Sequence, residues 1–204
     1  MRTGEAPWIS VARYYERILQ QHGATAPGVG WRDATTHHLR FAKLASVIED
    51  GNGGRIADLG CGYGAFYHYL CETGLRIERF IGYDICEEML AEARRRVPGG
   101  EFFFGDRVDR EVDFAFACGT FNARMEVAEA DWQRHVLKAL DSMNEFTVRG
   151  FAFNMLSTYV DYRHPENYYA NPCDFFDHCK RGYAQRVTLL HDYPLHEWTI
   201  VVRK

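Results

Sequence analysis

Residues 55–66, RIADLGCGYGAF, have the types and spacing of a loop that binds a nucleotide. An apolar run ends at Asp58, and Gly60, Gly62 and Gly64 follow at alternate positions. Glycines permit a sharp turn from a strand into a helix and let the backbone approach a ligand closely. The amide groups at the start of that helix can then receive a polar or anionic group. The segment therefore predicts a strand–turn–helix site for a nucleotide-bearing ligand.

Further acidic residues follow the next two apolar runs. Asp84 ends the second run, where an acid accepts hydrogen bonds from both ribose hydroxyls of a nucleotide, and Asp106 follows the third. Two of the loop glycines and Ala65 also satisfy the spacing G-x-G-x-x-G/A, so a nicotinamide or flavin dinucleotide is a competing interpretation. Asp58 argues against it, because an acid before the glycines would repel a pyrophosphate and attract an ammonium group.

Hydrophobic periodicity predicts the elements that must position these residues. Apolar residues at helical spacing predict two helices before the loop, at 8–22 and 35–49. Short apolar runs then alternate with amphipathic stretches, which predicts βαβ units and a mainly parallel sheet. The predicted strands are 55–58, 79–83, 101–104, 112–118, 150–155, 186–191 and 196–202. The predicted helices between them are 64–73, 87–97, 131–146 and 172–181.

The ordered set of motifs resembles the class I S-adenosylmethionine-dependent methyltransferases. The matching segments are 58–64, 82–85 followed by 88–90, 105–106 and 112–117, within a resemblance that begins near residue 53. It implies an α/β fold with a seven-stranded, mainly parallel Rossmann-like sheet, order 3-2-1-4-5-7-6, strand 7 antiparallel and helices on both faces. The short connection 192–195 separately predicts an antiparallel hairpin. We expect one domain, with an N-terminal helical lid at 1–52 and the cofactor-binding core at 53–204.

The resemblance also implies which residues bind S-adenosylmethionine and its product S-adenosylhomocysteine. Asp58 and the glycine loop would hold the methionine part, Asp84 the ribose hydroxyls and Asp106 the adenine amino group. Cys118 and Gly119, which end the fourth strand, would lie beside the sulfonium. The full set expected at the cofactor is Tyr14, Asp58, Gly60, Cys61, Gly62, Gly64, Asp84, Ile85, Gly105, Asp106, Arg107, Cys118 and Gly119.

The methyl acceptor should lie beyond the carboxyl ends of strands four and five, because open α/β sheets place ligands there. The residues expected to bind it are Phe121, Asn122, Asn154, Tyr159, Tyr162 and Tyr168, although the tyrosine-rich stretch 158–170 is equally interpreted as a cap over the sheet. A base is needed only if the acceptor must lose a proton, and the candidates are His164 and His191. Tyr14 is preferred to Tyr15 as the residue that closes over the cofactor, since Tyr15 lies on the apolar face of its helix.

Composition narrows the class of partner. The 204 residues carry a net charge of −4, which gives no broad cationic surface for nucleic acid. We expect a cytoplasmic protein, because no apolar run is long enough for a bilayer and the first residues lack the pattern of a secretory signal. The six cysteines form no CxxC pair and are expected to be reduced thiols. His37 and His38 have no acidic cluster beside them, so no metal site is expected.

The chemistry expected from these residues is in-line transfer of a methyl group to a small molecule in a dry pocket. One alternative keeps the chemistry and changes the acceptor to a protein or an RNA. A second alternative is a protein that binds the cofactor without catalysis. An enclosed pocket with aromatic walls would favour the small molecule, and an open basic groove would favour a macromolecule.

Overall fold

The alternating apolar and amphipathic stretches form a sheet covered by helices on both faces, in a computed structural model that describes residues 8–204. Residues 1–7, the start of the expected lid, lie outside the described residues. The strands are β1 (Asn52–Leu59), β2 (Arg76–Asp84), β3 (Glu101–Phe104), β4 (Val112–Cys118), β5 (Thr147–Ser157), β6 (Tyr169–Ala170), β7 (Arg186–Leu190) and β8 (Glu197–Arg203). The α-helices are α1 (Ile9–His22), α2 (Ala34–Ala45), α3 (Ala65–Glu72), α4 (Glu87–Arg96), α5 (Glu129–Phe146) and α6 (Pro172–Gly182), with a 3₁₀ turn at Pro27–Val29.

The strand order is β3-β2-β1-β4-β5-β8-β7, and β8 is antiparallel to both of its neighbours. This confirms the expected order, since β7 and β8 are the sixth and seventh of the predicted strands. One strand beyond the seven predicted, β6, was missed because it has only two residues. It pairs in parallel with Leu156 and Ser157, where β5 continues past the end of β4.

The sheet separates two apolar cores, as the two-residue period of a strand requires. Ile56 and Phe114 pack on one face among residues of α2, α3 and α4. Ala57 and Ala115 point to the other face, where α5 and α6 cover them. Strands buried on both faces explain why their sequences are continuous apolar runs rather than alternating ones.

Polar side chains cap the starts of α2 and α6. Asn171 accepts a hydrogen bond from the Cys173 amide at 3.0 Å, and Pro172 occupies the first position of α6. Asp33 accepts from the Thr36 amide at 2.7 Å and so begins α2. Among the helices of residues 8–204, none combines the length and the apolarity needed to cross a membrane.

Candidate active site

A cavity lies at the carboxyl ends of β1, β2 and β4, with about 880 Å³ of space between its walls and in its open mouth. Residues of α1 and α2 and of the segment between them form one side of it. Its walls are largely apolar and aromatic, as in cavities that bind small organic ligands. The lining residues that the sequence singled out are Asp58, Gly60, Cys61, Gly62, Asp84, Ile85, Gly105, Asp106, Cys118, Gly119 and Phe121.

The glycine loop turns the chain from β1 into α3 beside this cavity. The amides of Gly60 and Cys61 donate hydrogen bonds to the Tyr83 carbonyl, at 2.7 and 3.0 Å. Gly60 has a φ of +73°, and a Cβ there would lie 2.6 Å from Thr120 Oγ1, so a larger residue would be both strained and in collision. Gly64, also at positive φ, caps the start of α3. The predicted strand–turn–helix is therefore present, with its backbone against the cavity.

Asp84 ties the loop to the end of β2. Its Oδ2 accepts a hydrogen bond from the Gly62 amide at 2.8 Å, and its Oδ1 accepts from the Cys86 amide at 2.9 Å. Burial raises the pKa of Asp84 to about 6, although its backbone hydrogen bonds act in the opposite direction. The two bonds fix the carboxyl group, and each oxygen keeps a lone pair for a ligand hydroxyl.

Asp58 is a second buried carboxyl at the cavity wall. Burial, with a contribution from the nearby Asp84, raises the pKa of Asp58 to about 8. Within residues 8–204, no cationic side chain contributes to the pKa of either acid. A ligand that brings positive charge would therefore be stabilised by both carboxylates. S-adenosylmethionine carries a sulfonium and an ammonium group, so the residues present fit the cofactor that the sequence implies.

Asp106 contributes a third acid to the cavity, in a more open position. Its carboxylate lies 3.0 Å from Arg107 Nε and 3.7 Å from His135 Nδ1. Arg107 is exposed and is not part of the wall, whereas Ile85 and Trp132 are. An acceptor of N–H hydrogen bonds beside apolar and aromatic side chains suits a purine ring with an amino group.

The carboxyl end of β4 meets the helical side of the cavity at Gly119. This glycine has a φ of +65°, and a Cβ on it would lie 2.3 Å from the Trp31 ring, so the indole packs directly on the backbone. The neighbouring Cys118 thiol also lines the cavity, and burial raises its pKa far above the ordinary value. The thiol therefore stays neutral and has little nucleophilic character.

Asn154, expected at the acceptor, lies fully buried behind this wall. Its Oδ1 accepts a hydrogen bond from the Gly119 amide at 2.8 Å, and its Nδ2 donates to Glu197. Glu197 in turn accepts from Arg40, whose Cζ lies 3.9 Å from the centre of the Trp31 ring. Asn154 is therefore hydrogen-bonded to the wall from behind and is not among the residues that line the cavity.

Four residues expected at the acceptor or in catalysis lie on the protein surface, outside the cavity wall. Tyr159 and Tyr162 are 67% and 75% exposed. His164 is exposed, 4.0 Å from the Glu166 carboxylate. His191 is also exposed, with its ring 5.8 Å from that of Tyr159. A polar loop without apolar periodicity has no face to bury, so these side chains remain in solvent and the structure does not bring them to the cavity.

Of the remaining residues expected at the acceptor, Phe121 lines the cavity. Asn122 is buried beside it, and its Oδ1 accepts a hydrogen bond from the Leu156 amide at 3.0 Å. Tyr168 is buried in the core, where its amide donates to the Asn122 carbonyl. These two residues bind the tyrosine-rich stretch to the ends of β4 and β5, which is the cap function that the sequence left open.

Sequence reasoning missed much of the helical side of the cavity. Tyr15 lines the wall, whereas Tyr14, the preferred candidate, does not. An aromatic residue on the apolar face of a helix has the same periodicity whether it faces a core or a cavity. The spacing of His37 and Phe41, four residues apart on α2, was the available signal that both share one face. The other lining residues that were missed include Trp31, Thr120, Trp132 and His135.

Comparisons with known proteins identify a methyltransferase. The sequence profile of a family described as a methyltransferase domain matches residues 56–143. A protein of Mycobacterium tuberculosis named as a methyltransferase, Rv1506c, is 44% identical over 154 residues, which cover 73% of this chain and 92% of that protein. At that identity and coverage the two proteins share a family.

Solved structures show the same fold at low identity. The complex of DhpI with SAM and HEP has a TM-score of 0.70 at 15% identity, covering 99% of this chain and all of the other. A SAM-dependent methyltransferase of Leishmania major has a TM-score of 0.67 at 18% identity, over 99% and 87% of the two chains. The magnesium protoporphyrin IX methyltransferase of Synechocystis PCC 6803, with bound SAH, has a TM-score of 0.60 at 12% identity, covering 83% of this chain and 82% of the other. Family, fold and the acidic cavity together show that this chain belongs to the class I S-adenosylmethionine-dependent methyltransferases.

Proposed function

We propose that this enzyme methylates a small-molecule acceptor held in the cavity, and that the helical segment before β1 acts as a lid. The observation that carries the proposal is the helical side of the cavity. Val11 and Tyr15 of α1, with Trp31 and Phe41 further along the chain, all line it. Such a wall leaves room for a small molecule rather than for a polypeptide or an RNA strand.

Charge supports the same acceptor class. Among the described residues that line the cavity there is no lysine or arginine, and the acidic groups are Asp58, Asp84 and Asp106. Recognition of RNA depends on cations that neutralise phosphates, and these acids would repel a phosphate backbone. An extended protein acceptor would favour an open groove, whereas the helical segment borders one side of this cavity.

The cofactor supplies a methyl group activated by attachment to a positively charged sulfur. In our assignment, Asp58 and the loop backbone bind the methionine part, Asp84 binds the ribose and Asp106 the adenine. The Gly62 amide keeps the Asp84 carboxylate oriented. With ligands bound, the aromatic wall would exclude water, which would strengthen attraction between these acids and positive charge. Rate enhancement then comes mainly from holding the acceptor in line with the methyl group.

Two measurements test the proposal. Calorimetry of the purified protein should show binding of S-adenosylhomocysteine, and the Asp84→Ala variant should lose it. Methyl transfer from radiolabelled S-adenosylmethionine should then label the low-mass filtrate of a cell extract rather than its protein or RNA fractions. Labelling of the macromolecular fractions alone would contradict a small-molecule acceptor. Tight binding without transfer to any fraction would favour a binding protein instead of an enzyme.

A further inference from the structure

His37 is a buried polar group on the helical side of the cavity, and the assignment of the cofactor gives it no role. It is 6% exposed and lines the cavity. Its ring centre lies 4.1 Å from that of Phe41 and 5.8 Å from that of Trp31. Within residues 8–204, no hydrogen bond contributes to its pKa. The ring nitrogens of His37 are not among the buried unpaired atoms of the described residues, so a ligand in the cavity can hydrogen-bond the imidazole in place of water.

The surroundings of His37 keep the imidazole neutral. Burial lowers the pKa of His37 to about 3, and the positive charges of Arg40 and His38 on the same helix act in the same direction. Glu197 of β8, the acid next to Arg40, is occupied by that guanidinium and by the Asn154 amide. The other ionisable groups that line this cavity are Asp58, Asp84 and Asp106 at the strand ends, His135 of α5, Tyr15 of α1, Tyr63 of the loop and the Cys61 and Cys118 thiols. A neutral imidazole accepts one hydrogen bond and donates one.

The walls around His37 select for an uncharged planar molecule. Phe41 packs against His37, and Phe66 packs against Phe41 with 5.0 Å between the Phe41 and Phe66 ring centres. All three residues line the cavity. The nearest guanidinium, that of Arg40, is engaged by Glu197, by the Thr36 carbonyl and by the Trp31 face. An anionic acceptor would therefore meet no free cation among the described lining residues, whereas an aromatic ring would stack or pack edge to face.

His37 also lies close to the end of β4, where the transferable methyl group is expected. The Trp31 ring packs on Gly119 and lies beside the His37 ring, so one indole separates the imidazole from that strand end. We propose that His37 orients the acceptor, and that the acceptor is an uncharged aromatic molecule whose hydroxyl donates a hydrogen bond to the imidazole. This inference rests on the proposed small-molecule function.

The test uses three probes that differ in one group: β-naphthol, its methyl ether and β-naphthoate. Each is titrated by calorimetry into the protein saturated with S-adenosylhomocysteine. We expect β-naphthol to bind most tightly. Loss of one neutral hydrogen bond should weaken binding about three- to tenfold. We expect this loss when the methyl ether binds to the unaltered protein, and also when β-naphthol binds to the His37→Phe variant. His37→Gln, whose amide can also accept a hydrogen bond at this position, should recover part of the loss.

His38→Gln is the matched control, because His38 is the next residue of α2 and is exposed. It should leave the affinity for every probe unchanged. Equal affinity of the three probes, tightest binding of β-naphthoate, binding of none, or equal losses in His37→Phe and His38→Gln would overturn the inference. Weaker binding of S-adenosylhomocysteine by His37→Phe would also overturn it, since His37 would then belong to the cofactor site.

The two proposals fail in different ways. If the unaltered protein does not bind S-adenosylhomocysteine, the proposed function itself fails. The unaltered protein could instead bind S-adenosylhomocysteine and transfer methyl groups to the low-mass filtrate, while the probes give one of the overturning results above. In that case the proposed function stands, and only the role of His37 and the aromatic acceptor class are rejected.

Discussion

Arg40 of α2 and Glu197 of β8 form a buried ion pair behind the cavity wall, with 2.6 Å between Arg40 Nη2 and Glu197 Oε1. The guanidinium also donates to the Thr36 carbonyl at 2.8 Å and stacks on Trp31, whose ring packs on Gly119. The pair thus joins the helical side of the cavity to the far half of the sheet. Its position shows how a residue outside the cavity fixes the shape of the wall.

The first prediction concerns this pair. Arg40→Met should lower the free energy of unfolding by about 3–5 kcal/mol, because the Glu197 carboxylate would stay buried without its cation. The double variant Arg40→Met with Glu197→Met should regain most of that loss, since neither charge is then buried. Urea denaturation of both variants measures the effect. A loss below about 1 kcal/mol in the single variant would show that the pair is not buried in solution.

An exposed pair provides the control for this experiment. Arg181 and Asp177 lie one turn apart on α6 at 2.9 Å, with side chains 81% and 58% exposed. Solvent screens such a pair, so Arg181→Met should change the free energy of unfolding by no more than about 0.5 kcal/mol. A similar cost in both arginine variants would mean that burial is not the cause.

The second prediction concerns the contact of Trp31 with Gly119. Gly119→Ala would place a methyl group 2.3 Å from the indole ring, so the ring must move away from the end of β4. We expect the KM for the acceptor to rise about tenfold or more, the loss associated with misplaced substrate, and the affinity for S-adenosylhomocysteine to fall by a smaller factor, because Gly119 is also expected beside the sulfonium. Steady-state kinetics and calorimetry separate the two effects.

Gly74→Ala is the control for backbone strain. Gly74 has a similar φ of +76°, but a Cβ there would meet nothing within 4 Å. It should therefore destabilise the protein by about 1 kcal/mol through its backbone conformation, without an effect on the KM for the acceptor. If Gly119→Ala behaves in the same way, the indole does not shape the acceptor site.

The fold could be predicted because its determinants are local or periodic. β3 and β4 have the bounds that their apolar runs predict, and the short link 192–195 predicted the antiparallel pairing of β8. The acids at strand ends could be placed too, since parallel strands bring their carboxyl ends to one edge of the sheet. The two residues of β6 are too few for a periodic signal.

The acceptor side could not be predicted from the same signals. His37 and Gly119 are 82 positions apart in the sequence, and in the fold the Trp31 indole lies between them. No local pattern encodes such a contact. Residue type was also misleading, since exposed polar residues such as His164 and Tyr159 have the composition of a site but lie in a loop over the surface. The cavity instead contains His37, from the first turn of the amphipathic helix α2.

The third prediction concerns Asp84. Asp84→Asn keeps the size of the side chain and an oxygen that can accept from the Gly62 amide, but removes the charge and one acceptor oxygen. Loss of a charge-assisted hydrogen bond should weaken S-adenosylhomocysteine binding about tenfold or more, with the fold unchanged. Calorimetry measures the affinity, and Asp174→Asn on the exposed first turn of α6 is the control. Equal affinities in the two variants would remove Asp84 from the cofactor site.

The fourth prediction concerns pH and the buried carboxyl of Asp58. Its pKa of about 8 in the folded protein exceeds the ordinary value of 3.8, so the folded state retains a proton that the unfolded chain releases between these values. The free energy of unfolding must then fall as pH rises through this window, by at most about 1.4 kcal/mol per pH unit from this group. Asp58→Asn has no proton to release, so its stability advantage over the unaltered protein should widen from about pH 4 to about pH 8.

Urea denaturation at a series of pH values, without cofactor, measures that advantage for Asp58→Asn. The same variant should bind S-adenosylmethionine more weakly at pH 8, because the positively charged cofactor favours the ionised carboxylate and asparagine offers no charge. Stability and binding therefore change in opposite directions, as expected where a buried acid is retained for function. A stability difference that stays constant across the window would mean that Asp58 is ionised in the folded protein throughout, and hence that the cavity is solvated at β1.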